Sequence, residues 1–123
     1  MIIQQSLLFE GSITSATLTA VFDSGAGLSF INSKKANGLG VLEKLPRPLK
    51  VGQAAENTDI WVTETIRLIF TLNELELEDT FYLFPNLADE VLVGVPTMQK
   101  WHIVLDPTHN QIITDPKAVR LRI

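Results

Sequence analysis

Asp23 is the residue of this chain best placed to move protons: with Ser24 and Gly25 it follows the apolar run Ala20-Val21-Phe22 and opens the small-residue stretch Ala26-Gly27. A carboxylate held at the mouth of a core can give or take a proton. Asp and Ser hydrogen-bond turn amides, and Gly25 and Gly27 permit close approaches or backbone angles that a side chain would forbid. Alone, Asp-Ser-Gly after a strand ordinarily marks a turn. A second short apolar run ending in glycine, Glu90-Val91-Leu92-Val93-Gly94, leads later into Pro96-Thr97-Met98-Gln99-Lys100-Trp101.

The elements that position these residues are mostly strands. Ile2 to Phe9 reads as a strand that turns at Glu10-Gly11-Ser12. Ala16, Leu18, Ala20 and Phe22 alternate with Thr17, Thr19 and Val21, as in a strand with one face in a core, and Asp23 ends it. Leu28 to Ile31 is a short apolar run, after which Asn32 can cap a brief helix over Ser33 to Ala36 that Gly38 stops. Leu42 to Pro48, with two prolines around Arg47, reads as a connection, and Leu49 to Val51 as a strand. Gly52 to Asp59 is small and polar, and Ile60 to Phe70 is a long β-branched and aromatic strand, so the two form a hairpin. A second hairpin turns at Asn73-Glu74, carries Leu75, Leu77, Phe81 and Leu83 on its apolar positions, and ends at Pro85-Asn86.

Val91 to Val93 is a fully apolar strand, and Pro96 suits the first turn of a helix reaching Trp101. His102 to Leu105 and Gln111 to Thr114 make a third hairpin, and Ala118 to Ile123 alternates as a final strand. The pattern is that of an all-β, barrel-like fold with one or two short helices.

The chain has 123 residues and is expected to form one domain, 1–123. Hydrophobic residues at 46% place it among globular chains, and a net charge of -4 with scattered basic residues argues against a nucleic-acid partner. The absence of cysteine excludes thiolate chemistry and disulfides. No apolar run reaches membrane-spanning length, and the N-terminus has no signal-peptide pattern, so a cytoplasmic location without membrane attachment is expected.

Other chemistries find little support. His102 and His109 have no partner at metal-ligand spacing, so no metal is expected, and they read as structural or surface residues. Gly25-Ala26-Gly27 and Gly38-Leu39-Gly40 lack the third glycine of a dinucleotide loop, and no cofactor is expected. Trp61 and Trp101 read as core or interface aromatics. Asp106 and Asp115, each before a proline, read as turn formers, Asp59 lies near a hairpin tip, and Glu74, Glu76, Glu78 and Asp79 read as a solvated strand face.

The order of motifs from about Ile13 to Thr114 resembles the retropepsin-like aspartic peptidases: an apolar pair, Asp-Thr/Ser-Gly-Ala, a flap hairpin, then two apolar residues and Gly entering a short helix. The resemblance implies a single-lobe, acid-protease-like closed barrel in which Asp23, Ser24 and Gly25 form the catalytic motif. It implies that Gly25, Ala26 and Gly27 hold an extended protein or peptide substrate, and that Gly52, Gln53, Ala54 and Ala55 belong to a flap tip spanning Gly52 to Asn57.

Two carboxylates in close contact cannot both ionise, so one can act as acid while the other acts as base on water. The motif occurs once, so the resemblance implies a homodimer whose partner supplies the second Asp23. It also gives Ser24 the role of bracing the two loops across the dimer axis, and places the terminal segments Ile2 to Phe9 and Ala118 to Ile123 in the interface. Retroviral members carry an acid after the motif and an Arg after the second glycine, where this chain has Gly27 and Val95, and their flaps hold several glycines where this one holds Gly52. The alternative reading is a retropepsin-like module, catalytically weak or inactive, kept for dimerisation or peptide binding.

Overall fold

Residues 1–53 and 58–120 are described by a computed structural model. Strands β1 (Ile2–Glu10) and β2 (Ser15–Asp23) form an antiparallel hairpin that sets Ile2 opposite Asp23 and Glu10 opposite Ser15. Beside β2 and parallel to it lies β7 (Val91–Val93), which pairs antiparallel with β3 (Phe30–Asn32). Strand β6 (Leu75–Phe84) then runs parallel to β3 and antiparallel to β5 (Thr58–Leu72). Phe9 opposite Phe70 and Glu10 opposite Ile69 join β1 to β5 and close a six-stranded barrel, with β4 (Leu42–Gln53) added along β5.

The barrel closes where its largest side chains meet. Phe9, Phe70 and Phe81 are fully buried, with ring centroids 5.8 to 6.1 Å apart and two of the three pairs edge-to-face. Each such ring buries enough apolar area to contribute about 2 kcal/mol, before any gain from ring geometry. Leu18, Ala20 and Phe22 lie in the core as the alternation of β2 predicts, but Val21, expected on the opposite face, is buried as well.

Short-range chemistry sets the turns. Asn73 and Glu74 both adopt positive φ, 49° and 68°, as a two-residue hairpin with right-handed strand twist requires. The Asn73 amide also donates to the Ile112 carbonyl at 2.9 Å, which ties this turn to the small hairpin of β8 (Val104–Asp106) and β9 (Gln111–Ile113). Asn32 caps helix α1 (Ser33–Ala36), accepting from the Lys34 amide at 2.9 Å, and Gly38 follows at φ 79°.

Two expectations change. Leu42 to Pro48 is the first half of β4 rather than a connection, with its register against β5 shifting between Lys44 and Leu49. Because β4 is an edge strand, Pro46 and Pro48 fall where a missing N–H breaks no ladder. In place of the expected final strand, Pro116–Arg120 forms a short helix, α3, and residues 121–123 lie outside the described residues. Asp115 Oδ1 accepts from the Lys117 amide at 2.9 Å, so Asp115-Pro116 acts as a helix start.

Glu90 extends the sheet with its side chain. Its Oε1 accepts from the Thr19 amide of β2 at 2.7 Å, just before the β2–β7 ladder begins, and its Oε2 lies 3.1 Å from Lys35 Nζ. The Thr19 amide, with Lys35 second, holds the Glu90 carboxyl below its ordinary value of 4.5, against the opposing effect of burial. A lowered folded-state value means that this carboxylate stabilises the fold above about pH 4.5, and that the contribution is lost as pH falls through the folded value. Urea melts should therefore show Glu90→Gln less stable than wild type at neutral pH, with the gap narrowing below pH 4.5. A gap independent of pH would assign Glu90 no such role.

Candidate active site

Asp23 is the last residue of β2, half-buried, at the barrel end where the chain leaves the sheet. Its Oδ1 accepts from the Gly25 amide at 2.8 Å, and its backbone carbonyl accepts from the Ala26 amide at 3.1 Å. These bonds aim the carboxylate. Among the described residues no hydrogen-bond partner occupies Oδ2, which leaves one oxygen for external chemistry.

The loop after Asp23 rests on the second motif. The Val95 amide donates to the Ala26 carbonyl at 2.9 Å, and the Gly94 amide donates to Ser29 Oγ at 2.9 Å. A Cβ at Gly94 would lie 2.3 Å from the Leu28 carbonyl oxygen and 2.8 Å from that of Ala26, so the two segments pack backbone to backbone and only glycine fits. Helix α2 (Val95–Lys100) starts at this contact, with Pro96 in its first turn. Val95, at the position where retroviral members carry Arg, thus engages the loop through its backbone.

Ser24 is tied within its own chain: its amide donates to the Met1 carbonyl at 3.1 Å and its hydroxyl lies 3.4 Å from the same oxygen. Gly25 and Gly27 are exposed, and neither adopts positive φ. A Cβ at Gly25 would sit 3.2 Å from Asp23 Oδ1, whereas one at Gly27 would meet nothing within 4 Å. Positive φ is therefore not what these glycines provide: Gly25 leaves room for the Asp23 carboxylate, and Gly27 presents bare backbone to open space. Gly52 and Gln53 end β4, opposite Asp59 and Thr58 of β5, and Ala54 and Ala55 lie outside the described residues. The structure thus brings Asp23, Ser24, Gly25, Ala26 and Gly27 into one loop and puts Gly52 and Gln53 at the end of the β4–β5 hairpin.

A second apolar cluster, separate from the barrel core, sits at the base of that hairpin. Phe30, Val62 and Phe84 are buried in it, while Leu28, Val51, Ile60, Leu87 and Leu92 are only partly covered. Next to Ser24 an apolar depression of about 400 Å³ opens between Met1, Val95, Met98, Ile103 and Val104. A larger one, about 580 Å³, lies around Glu10, Glu43, Arg67 and Glu78 at the opposite end of the β1–β2 hairpin from Asp23, and Arg67 is paired there with Glu78 at 3.2 Å.

Sequence reasoning missed one member of the site's surroundings. Asp79, expected on a solvated face, is mostly covered: its Oδ2 accepts from Thr97 Oγ1 at 2.6 Å and its Oδ1 from the Thr80 amide at 2.8 Å, with Lys100 Nζ at 3.7 Å. The cover comes from α2, which no local pattern around Asp79 announces. The histidines lie on the surface, His109 2.7 Å from Asp106 and His102 3.7 Å from Asp115, and the described residues contain no cluster able to hold a metal ion. Trp101 is buried and donates to the Glu78 carbonyl at 2.8 Å, while Trp61 is exposed on β5.

The fold is similar to that of a solved protein. The retroviral protease-like domain of Ddi1 from Leishmania major superposes with a TM-score of 0.69, covering 94% of this chain and 91% of that one at 19% sequence identity. The fold is retropepsin-like. No protein-family model matches the chain, and no curated protein matches it in sequence.

Proposed function

We propose that the chain is one subunit of a homodimeric aspartic endopeptidase. The observation that carries this reading is the half-complete site: a single carboxylate, Asp23, fixed through Oδ1 by the Gly25 amide at 2.8 Å at the end of β2 in a retropepsin-like barrel, with Oδ2 unpartnered among the described residues. While one ionised carboxylate takes a proton from water it has none to give to the peptide group under attack, so acid and base acting together need a second, protonated carboxyl. Two Asp23 groups from symmetric copies, sharing one proton, can do both.

In this reading the ionised Asp23 takes a proton from water as its oxygen attacks the peptide carbonyl. The protonated Asp23 then gives its proton to the departing nitrogen as the C–N bond breaks. The exposed backbone of Gly25 and Gly27 pairs with an extended peptide, as in strand addition. The β4–β5 hairpin, ending at Gly52 and Gln53, covers the peptide and limits water. The partly covered side chains Leu28, Val51, Ile60 and Leu92 offer apolar walls to substrate side chains. Support for a second copy comes from the apolar depression beside Ser24 and from the edge of β1, which pairs fully with β2 but, among the described residues, meets β5 only at Phe9 and Glu10.

The test is sedimentation of the purified protein together with hydrolysis of a peptide library from about pH 4 to about pH 8. The expected result is a dimer that cleaves internal peptide bonds and is inhibited by a pepstatin-type hydroxyl-bearing mimic. A dimer that binds peptides without cleaving them would establish the binding-module reading instead.

A further inference from the structure

A line of hydrogen bonds runs from the Asp23 loop into the barrel wall, and its direction can be read from the chemistry of its members. Ser29 and Thr97 are 5% and 1% exposed, so their hydroxyls must find partners inside the protein. Thr97 Oγ1 lies 2.6 Å from Asp79 Oδ2 and 2.6 Å from Ser29 Oγ. An ionised carboxylate only accepts, so Thr97 spends its one hydrogen on Asp79 and must accept from Ser29. Ser29 Oγ, having donated to Thr97, is then an acceptor for the Gly94 amide at 2.9 Å. The sequence of donors is Gly94 N–H, Ser29 O–H, Thr97 O–H, ending on Asp79.

We infer that Asp79 is a positioning residue for the Asp23 loop, acting through Thr97 and Ser29 to hold the loop against Gly94. Both Asp79 oxygens are in use as acceptors, Oδ2 for Thr97 and Oδ1 for the Thr80 amide at 2.8 Å. The isosteric Asp79→Asn offers one acceptor oxygen and one NH2 donor, so it cannot satisfy both. If the NH2 turns toward Thr97, Thr97 must accept from it and donate to Ser29. The Ser29 hydrogen is then left without its acceptor in a buried place. The loop that carries Asp23 depends on this arrangement because Gly94 and Val95 are what it lies on. The kinetic part of the inference rests on the peptidase reading; the structural part does not.

The experiment compares wild type, Asp79→Asn, Thr97→Val and Thr97→Ser by amide hydrogen exchange and by peptide hydrolysis. Breaking a hydrogen bond to a charged group corresponds to about a ten- to hundredfold change in an equilibrium. The Gly94 amide should therefore exchange at least about tenfold faster in Asp79→Asn and Thr97→Val, with β1–β2 amides far less affected, while Thr97→Ser, which keeps the hydroxyl, should stay near wild type. Where hydrolysis is measured, kcat/KM should fall about tenfold or more in the first two variants and stay near wild type in Thr97→Ser, because acid and peptide contacts share the loop that is displaced. Unchanged Gly94 exchange in both variants, or an equal rise at every amide, would overturn the inference. Should wild type prove inactive, the peptidase reading fails, and the Gly94 exchange still decides what Asp79 does.

Discussion

Asp23→Asn protein should fold, sediment as wild type does, and hydrolyse no peptide. Asn keeps an Oδ1 able to accept from the Gly25 amide, so the loop has no reason to rearrange. On the proposed peptidase reading, what disappears is the group that takes a proton from water and gives one to the leaving nitrogen, and in a symmetric dimer it disappears twice. Positioned acid–base groups contribute about 10²- to 10⁴-fold each, so cleavage should drop by about 10⁴-fold or more. Thermal melts followed by circular dichroism should match wild type or lie slightly higher, since two acids in contact repel and two amides do not. Cleavage equal to wild type would remove Asp23 from the mechanism.

Gly94→Ala should be the most damaging single methyl that can be added to the site. The new carbon would sit 2.3 Å from the Leu28 carbonyl oxygen and 2.7 Å from its carbon, and both neighbours are backbone that cannot rotate away. Overpacking of a rigid contact costs about 1 to 3 kcal/mol, and here the strain falls on the loop that holds Asp23. Urea melts should show a loss of about 3 kcal/mol, at the upper end of that range, together with loss of activity in whatever fraction stays folded. Gly27→Ala is the natural contrast, because its Cβ would meet nothing within 4 Å. That variant should melt like wild type and lose affinity for peptide, since the open space it fills is where substrate backbone would lie. Equal stability of the two variants would contradict the packing described for Gly94.

Much of this arrangement was legible in the chain because it is written locally. The core positions Leu18, Ala20 and Phe22, the Asp-Ser-Gly turn and the Asn73-Glu74 hairpin each depend on a few neighbouring residues, and each is present as expected, although Val21, read as the outer face of β2, is buried too. The prolines of β4 misled because a proline breaks a central strand but is harmless on an edge, and edge position is a property of the whole sheet. The last segment misled because alternation over Ala118 to Ile123 outweighed the helix-start chemistry of Asp115-Pro116. Asp79 and Glu90 lay beyond local reasoning altogether. Asp79 is matched with Thr97 from a helix yet to come, and Glu90 with the Thr19 amide 71 positions away, and nothing beside either acid distinguishes it from a solvated one.

The central claim, that each active site needs an Asp23 from two copies, is tested most directly by mixing subunits. A fixed amount of wild type is allowed to exchange with increasing Asp23→Asn protein, and peptide hydrolysis is followed. With random assortment, an equal amount of the variant leaves about a quarter of all dimers with two Asp23, so total activity should fall to about half and keep falling as more is added. Activity that stays at the wild-type level however much Asp23→Asn is present, with exchange verified by a mass-labelled subunit, would show that one Asp23 suffices and would contradict the shared site.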